Sequence, residues 1–234
     1  MKAVILAGGK GTRLYPYTVS LPKPLVPIGE KPIIEIMLRQ LRRAGVVEAT
    51  VSVGHLAELM MSFLGDGKSL GVAIDYVRED KPLGTVGPLR LVRDLPENFL
   101  LMNGDVLTDL DYRALFEGHV ASGAQVSIST YHKKVNVDLG VLVSENGRVT
   151  KYVEKPTYVY DVSMGVYALN RSVLGRIPEG EYFDFPMLIN ALLDAGQFVR
   201  AVPFDGIWLD IGRPADYEEA QRTFAELGAR ILPE

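Results

Sequence analysis

The sequence predicts a single α/β domain with a mostly parallel central sheet and helices on both faces. Strand-like apolar runs alternate with segments of helical periodicity through the first 130 residues, which is typical of parallel strands joined by helices. No Pro/Ser-rich linker, repeat or low-complexity tract divides the chain, and 234 residues are enough for one large domain. We therefore expect one domain, 1–234, with an N-terminal part (1–130) and a C-terminal part (131–234).

The N-terminal part contains five candidate strands and four candidate helices. The strands are apolar runs at 2–6, 49–53, 72–77, 99–103 and 125–130. The helices are predicted at 33–45, 55–64, 85–94 and 112–122. The first helix follows Pro32 and stops at Gly45, a residue typical of helix ends.

The pattern changes in the C-terminal part. Asn146-Gly147 lies between two strand-like runs, which is the strongest short-range signal for a β-hairpin. Strands are predicted at 163–169 and 198–203 with a helix at 186–195 between them, and a last helix at about 214–227. This part is therefore expected to add antiparallel strands.

Composition and charge restrict the class of protein. Hydrophobic residues make up 47% and charged residues 23% of the chain, as in ordinary globular proteins. The net charge of −4 does not favour nucleic acid as a partner, and the absence of cysteine excludes disulfides and thiolate chemistry. No apolar run has the length of a signal peptide or a membrane span. We expect a cytoplasmic protein without a membrane partner.

The first strand is followed by a loop rich in glycine and positive charge, LAGGKGTRLYPYTVSLPKP (6–24). Glycines expose backbone N–H groups that can surround an anion, and Arg13 can donate to two phosphate oxygens. The alternative, a plain strand-to-helix turn, rarely has three glycines with Arg13 and Lys23 nearby. The dinucleotide fingerprint G-x-G-x-x-G fails at Leu14, and the P-loop motif is absent here and at GKS (67–69). Phosphate binding is therefore predicted, but neither a dehydrogenase nor a kinase.

A longer signature resembles one family. It comprises Gly8-Gly9-x-Gly11-Thr12-Arg13-Leu14-x-Pro16-x-Thr18, followed by Pro22-Lys23-Pro24. It continues with FLGDG (63–67), PLGTVGPL (82–89), NGD (103–105), EKP (154–156), GVY (165–167), DFP (184–186) and WLDIG (208–212). The chain thus resembles the sugar-1-phosphate nucleotidyltransferases (nucleoside-diphosphate-sugar pyrophosphorylases). PLGTVGPL is close to the form seen in mannose-1-phosphate guanylyltransferases.

The resemblance implies both a fold and a reaction. The fold is a Rossmann-like, GT-A-like three-layer nucleotidyltransferase domain with a mixed, mostly parallel central sheet. Residues 1–130 would bind the nucleotide, and residues 131–234 would bind the sugar phosphate and supply the C-terminal helix. An oxygen of the sugar 1-phosphate would attack the α-phosphorus of a nucleoside triphosphate and release pyrophosphate. The attacking phosphate is already anionic, so the site must screen and align two polyanions rather than supply a base.

Five charged residues receive roles from the resemblance. Arg13 and Lys23 would serve catalysis at the triphosphate, and Lys155 at the sugar phosphate. Asp105 and Asp210 would hold Mg²⁺, the expected cofactor, since separated carboxylates suit a hard cation that also binds phosphates. Asp105 ends the fourth predicted strand, where open α/β sheets bind their ligands.

The remaining site residues follow from the same resemblance. The nucleotide-binding set is Leu6, Ala7, Gly8, Gly9, Gly11, Thr12, Glu79, Gly84 and Thr85. The sugar-binding set is Gly140, Glu154 and Ser163, the last at a position where relatives often have Asn. Outside these sets we expect Asp109 to be a solvated turn residue, Asp111 a helix cap and Trp208 a core residue.

Glu79 is the candidate for base recognition. Guanine presents N1–H and an NH₂ side by side, which suits a carboxylate; uracil and thymine present one N–H between carbonyls, which suits an amide. The sequence therefore favours GTP with a hexose 1-phosphate such as mannose 1-phosphate. The alternatives are a UTP- or dTTP-dependent glucose-1-phosphate nucleotidyltransferase and, for Glu79 itself, a surface charge at a strand end.

A catalytically silent, sugar-nucleotide-binding regulatory subunit is the competing class of function. A silent relative would be expected to lose Arg13, Lys23, Asp105 or Asp210, and all four are present. About twenty residues follow WLDIG, so we expect neither the left-handed β-helix nor the regulatory modules of many relatives. The expected partners are the two substrates, and a homo-oligomer is left open.

Overall fold

The computed structural model describes residues 1–232. Within them the chain forms thirteen strands and five α-helices. The strands are β1 (Lys2–Ala7), β2 (Pro27–Ile28), β3 (Lys31–Pro32), β4 (Glu48–Val53), β5 (Ala73–Arg78), β6 (Asn98–Asn103), β7 (Val106–Thr108), β8 (Val126–Asn136), β9 (Val141–Glu145), β10 (Arg148–Val153), β11 (Thr157–Asn170), β12 (Val199–Phe204) and β13 (Trp208–Asp210). The helices are α1 (Ile33–Arg43), α2 (Ala57–Leu64), α3 (Tyr112–Ser122), α4 (Phe185–Asp194) and α5 (Pro214–Ile231).

Seven of these strands form the central sheet, in the order β12–β8–β11–β6–β1–β4–β5. The strand β1 is parallel to β4 and β6, β4 is parallel to β5, and β12 is parallel to β8. The strand β11 is antiparallel to both of its neighbours, β6 and β8. The sheet is therefore mixed and mostly parallel, which confirms the predicted fold class. It includes strands from both predicted parts of the chain.

Apolar side chains are buried on both faces of this sheet. In β1, Ile5 packs in a cluster with residues of α1, α2 and α3, whereas the adjacent Val4 packs in a cluster with residues of α4. Neighbouring residues of a strand point to opposite faces, so burial on both sides requires the continuous apolar run seen in β1. Helices, sheet and helices make three layers. A third cluster packs α5 against the segment 14–36 and against β7.

The predicted hairpin is confirmed. The turn residues Asn146 and Gly147 join β9 to β10 and have φ angles of 49° and 80°. Positive φ at both central residues matches the right-handed twist of a two-residue hairpin, which is why Asn-Gly is favoured there.

The prediction of an α-helix at 85–94 is wrong. Only a short 3₁₀ helix, Gly87–Leu91, forms in this region. The N–H groups of Val86 and Gly87 donate to the carbonyl of Phe183, both at 3.1 Å, instead of taking part in an α-helix. These long-range hydrogen bonds hold the start of the segment, and the Gly87-Pro88 sequence disfavours its continuation as an α-helix.

Two strands are longer than predicted. The strand β8 continues to Asn136, and β11 begins at Thr157, which pairs with Asn136. This extension carries the chain into the exposed hairpin of β9 and β10. Its residues are mostly exposed and lack a buried apolar face, so the apolar alternation that indicates a strand is weak there.

The carboxyl ends of β1, β4, β5 and β6 lie at one edge of the sheet because these strands are parallel. The short strand β7 follows β6 after the turn Gly104-Asp105, and it pairs with β13 so that Asp210 lies opposite Val106. Parts of the chain that are distant in sequence thus meet at the edge where open α/β sheets bind ligands.

None of the helices within residues 1–232 is long and apolar enough to cross a membrane. The cytoplasmic location expected from the sequence stays a prediction.

Candidate active site

The glycine-rich loop after β1 lines a cavity of about 230 Å³, which we call the phosphate cavity. The residues around it are Leu6, Ala7, Gly9, Gly11, Thr12, Arg13, Lys23, Pro24, Gly104, Asp105 and Gly212. Gly11 has a φ of 61°, and a Cβ at this position would lie 2.9 Å from the side chain of Thr18. The Thr18 hydroxyl donates to the Gly11 carbonyl at 2.8 Å and fixes this turn. The predicted loop is therefore concave and has both predicted cations in its wall.

Lys23 and Asp105 form an ion pair in this wall. The ammonium group of Lys23 donates to Oδ2 of Asp105, and the two side chains are 10% and 20% exposed. The pairing of β7 with β13 brings Asp210 close to Asp105, and the N–H of Ile211 donates to the Asp105 carbonyl at 3.2 Å. Both predicted metal-binding carboxylates are therefore on the same side of the site as the Lys23 ammonium.

The charges around these carboxylates suit a divalent cation. Burial raises the pKa of Asp210, the neighbouring Asp105 raises it further, and Lys23 and Arg13 lower it. The Oδ1 atom of Asp105 is buried without a hydrogen-bond partner in the part of the chain that the structure describes. An unpaired carboxylate oxygen beside a second carboxylate is the donor set that a hard cation uses. Among residues 1–232 no group of three or more acidic or imidazole ligands forms, so water and substrate oxygens would complete the coordination.

A second cavity, of about 590 Å³, adjoins the first and shares Leu6, Gly9 and Asp105 with it. We call it the nucleoside cavity. Glu79 lies in its wall, where its carboxylate accepts from the Ser52 hydroxyl at 3.0 Å and from the Leu83 N–H at 3.1 Å. Glu79 is therefore held in place rather than free in solvent, and its recognition of a base stays a prediction.

Gly8 lies against the carboxylate of Glu79 in the same cavity. A Cβ on Gly8 would be 2.5 Å from Oε1 of Glu79. The carbonyl of Gly8 accepts from the His55 N–H at 3.2 Å, which ties the glycine loop to the end of β4. The predicted residues Gly8 and Glu79 are thus in contact, and a side chain at position 8 would displace the carboxylate.

The predicted residues Gly84 and Thr85 are fixed to the start of α4. The N–H and the hydroxyl of Thr85 lie 3.1 and 3.4 Å from Oδ1 of Asp184, and the hydroxyl accepts from the Phe185 N–H at 2.6 Å. Gly84 has a φ of 78°, and a Cβ there would lie 2.7 Å from the Phe183 carbonyl oxygen. Thr85 therefore caps α4 from another segment, and this contact holds one wall of the nucleoside cavity.

The predicted sugar-side residues do not line these two cavities. In the described chain, neither cavity is lined by Gly140, Glu154, Lys155 or Ser163. Glu154 accepts from the hydroxyl of Tyr152 at 2.7 Å, and Gly140 packs against the same tyrosine. Lys155 follows the exposed hairpin and has a φ of 44°. The geometry does not bring these residues to the triphosphate side, and their roles stay predictions.

Three further predictions have definite outcomes. Asp111 caps α3 by accepting from the Ala114 N–H at 2.9 Å, as expected. Trp208 is a packing residue, as expected, and its indole N–H donates to the Met164 carbonyl at 3.0 Å. The prediction for Asp109 is wrong, because its side chain is only 13% exposed and pairs with Arg230 at 2.7 Å.

Three side chains near the site, those of Tyr167, Tyr182 and Asp184, were not among the residues predicted from the sequence. The hydroxyl of Tyr167 lies 2.9 Å from Oγ of Ser163, and burial raises the pKa of Tyr167, with a further contribution from Asp105 and Asp210. Tyr182 and Asp184 line the nucleoside cavity. Tyr167 and Asp184 belong to the signature segments GVY (165–167) and DFP (184–186), and this membership is the signal that could have identified them.

This edge of the sheet can bind a polyphosphate, and comparison with known proteins gives the class. The chain belongs to the Nucleotidyl transferase family, whose model matches residues 2–226. The expected family is therefore confirmed.

Individual relatives agree with this class. The chain is 38% identical over 240 residues to mannose-1-phosphate guanylyltransferase 1 of Arabidopsis thaliana, and 35% identical over 243 residues to a UTP–glucose-1-phosphate uridylyltransferase of Synechocystis. These alignments cover 97% and 95% of this chain but only 65% and 63% of the relatives. A structure described as a candidate glucose-1-phosphate thymidylyltransferase from Bacillus anthracis superposes with a TM-score of 0.78 at 26% identity, covering 95% of this chain and 94% of the other.

We expect Asp105→Asn and Asp210→Asn each to weaken the binding of Mg²⁺ or Mn²⁺, because each removes one anionic ligand from a site that offers two. Isothermal titration calorimetry would measure the affinity, and thermal unfolding would verify the fold. Asp205→Asn, which changes an exposed carboxylate outside the cavities, is the matched control. Metal affinity equal to wild type in both site variants would contradict the assignment.

Proposed function

We propose that this chain transfers a nucleotidyl group from a nucleoside triphosphate to a sugar 1-phosphate, giving a nucleoside-diphosphate sugar and pyrophosphate. The observation that carries the proposal is the grouping of Asp105, Lys23 and Arg13 in the wall of a glycine-lined cavity, with a second carboxylate, Asp210, close to them. Such a site combines anion binding with metal binding, as nucleotidyl transfer requires.

In the proposed reaction an oxygen of the sugar 1-phosphate attacks the α-phosphorus of the triphosphate. A new P–O bond forms, the bond from the α-phosphorus to the bridging oxygen breaks, and pyrophosphate leaves with the electron pair. Arg13 and Lys23 reduce the repulsion between the two anions and hold the triphosphate. No protein group has to remove a proton, which agrees with the absence of histidine from the phosphate cavity in the described chain.

Mg²⁺ is the proposed cofactor, with Asp105 and Asp210 as its protein ligands. When bound, it would screen the charge of the phosphate groups next to it. The buried, unpaired Oδ1 of Asp105 supports this choice. The chain itself contributes the two carboxylates and keeps them fixed through the pairing of β7 with β13.

GTP is the proposed triphosphate, and a hexose 1-phosphate such as mannose 1-phosphate the proposed acceptor. Glu79 supports guanine because a carboxylate can accept from N1–H and from the NH₂ group together. Guanylyltransferases among the relatives support the same choice, whereas the uridylyltransferase relative keeps UTP open as the alternative. Glu154 and Lys155 are the proposed contacts to the sugar and its phosphate. Gly140 and Ser163 are the other proposed sugar-binding residues.

The deciding experiment is a matrix of GTP, UTP and dTTP against mannose 1-phosphate and glucose 1-phosphate, with pyrophosphate release as the measurement. We expect release that requires both substrates and Mg²⁺, with GTP preferred. Binding of a nucleotide sugar without turnover in any combination would instead favour a silent regulatory subunit.

The two ends of the site should respond differently to the loss of a lysine. Lys23→Ala should impair the use of the triphosphate, and Lys155→Ala the use of the sugar phosphate. Each change should lower turnover by about 10²–10³, the usual effect of removing one preorganised charge. Steady-state kinetics with each substrate varied in turn would measure this, and Lys151→Ala on the exposed hairpin is the control. An effect of Lys155→Ala confined to the triphosphate KM would contradict the assignment of the sugar side.

Glu79→Gln should lower kcat/KM for GTP by about 10- to 100-fold, because a charge-assisted hydrogen bond is worth roughly 1.5–3 kcal/mol. The effect on UTP or dTTP should be smaller, since an amide can serve both the N–H and a carbonyl of those bases. The ratio of kcat/KM for GTP to that for UTP is therefore the quantity to measure.

Asp80→Asn is the matched control for this prediction, because it removes an exposed carboxylate from the wall of the same cavity and leaves Glu79 unchanged. A structural role of Glu79 would lower kcat/KM for all triphosphates equally and leave their ratio unchanged. That result, or a wild type that prefers UTP or dTTP, would mean that Glu79 does not select the base.

A further inference from the structure

A third cavity, of about 390 Å³, is lined by Asp210 and shares no lining residue with the nucleoside cavity. Its wall contains three cations, Arg13, Lys133 and Arg213, and two aromatic rings, Tyr131 and Trp208. Lys133 and Arg213 are not among the residues that bind the phosphates or the metal in the proposed reaction. We call this space the third cavity.

The third cavity adjoins the phosphate cavity. Arg13 and Gly212 line both, while Leu6, Gly9 and Asp105 connect the phosphate cavity to the nucleoside cavity. The three spaces therefore follow one another as nucleoside cavity, phosphate cavity and third cavity. A nucleoside triphosphate is an elongated molecule with its charge at one end, and this order of cavities matches the order of its parts.

The cations of the third cavity are available to a ligand. Arg13, Lys133 and Arg213 have exposed side chains, and within residues 1–232 none of them takes part in an ion pair. Three carboxylates, Asp210, Asp216 and Glu219, line the same wall, and within residues 1–232 none of them forms an ion pair with these cations. Exposed cations keep their hydration and bind weakly one by one, but three around one space can surround a multiply charged anion.

The aromatic rings are already engaged with the protein. Tyr131 and Trp208 face each other with ring centroids 5.2 Å apart, and the indole N–H donates to Met164. The cations are the charged donors of this wall, and positive charge favours a phosphate over a neutral sugar ring.

We propose that the third cavity binds the terminal phosphates of the triphosphate, and pyrophosphate before its release, through Lys133 and Arg213 together with Arg13. This inference rests on the proposed function, since it concerns the leaving group of that reaction. Lys133 and Arg213 would hold the negative charge that develops on pyrophosphate as the bond to the α-phosphorus breaks.

Trp208 provides a measurement that does not depend on turnover. It is the only tryptophan in the chain, and it lies in the wall of the third cavity. Titration of the protein with pyrophosphate in the presence of Mg²⁺ should give a saturable change in tryptophan fluorescence. Lys133→Gln and Arg213→Gln should each raise the dissociation constant for pyrophosphate by about tenfold or more, as expected for a lost charge-assisted hydrogen bond.

Lys134→Gln is the matched control. Tyr131 and Lys133 alternate along β8 and both line the third cavity, so the side chain of Lys134 points to the opposite face of the strand. This variant should bind pyrophosphate as the wild type does. The same titration with mannose 1-phosphate tests the other source of a phosphate group, and its affinity should be unchanged in the Lys133 and Arg213 variants.

Pyrophosphate affinities equal to wild type in both variants would overturn the proposal. So would a loss of mannose 1-phosphate affinity with pyrophosphate affinity retained, because the cavity would then belong to the sugar phosphate. The proposed function is judged separately by product formation. If the wild type forms product and neither variant changes the affinity for pyrophosphate, the subsite alone is refuted. If the wild type binds pyrophosphate and both variants weaken that binding, but no product forms, the proposed function alone is refuted.

Discussion

The geometry of the site depends on the contact between two strands of three residues each, β7 and β13. Asp105 precedes the first and Asp210 ends the second, so their antiparallel pairing brings the two carboxylates together. Strands this short are not stable alone, and their position comes from the packing of Leu107 and Ile211 in the cluster that includes α5. The helix α5 therefore positions the carboxylates, although none of the described residues of α5 lines the phosphate cavity.

The same geometry creates an electrostatic cost that the cations offset. Two neighbouring carboxylates disfavour each other's ionised form, which is one cause of the raised pKa of Asp210. Lys23 and Arg13 act in the opposite direction, and Lys23 is largely buried against Asp105. Breaking such a pair would leave a mostly buried carboxylate without its counter-charge. The residues proposed to bind the triphosphate thus also stabilise the site in which it binds.

Sequence reasoning succeeded where burial or a long signature constrains the residues. The strands β1 and β6 were predictable because burial on both faces of the sheet demands continuous apolar runs. Arg13, Lys23 and Asp105 were predictable from the signature and meet in one cavity. The contact of Thr85 with Asp184 was not predictable, because it joins residues 99 positions apart and involves no local pattern. Long-range contacts also hold the start of the segment 85–94, where Gly87-Pro88 disfavours the expected helix.

The proposed base end and the proposed sugar end of the site differ in how firmly their side chains are held by the rest of the protein. On the base side, Glu79 is bonded to Leu83 and Ser52, and Thr85 is bonded to the start of α4, so the groups facing the cavity are fixed before a ligand arrives. On the sugar side, Glu154 and Lys155 lie on exposed backbone beside the hairpin. Fixed groups lose little conformational entropy on binding, whereas exposed side chains lose more, so the same hydrogen bond yields more affinity at the base than at the sugar. Under the proposed assignment, base selection rests on prearranged groups around Glu79, whereas sugar selection draws on exposed side chains.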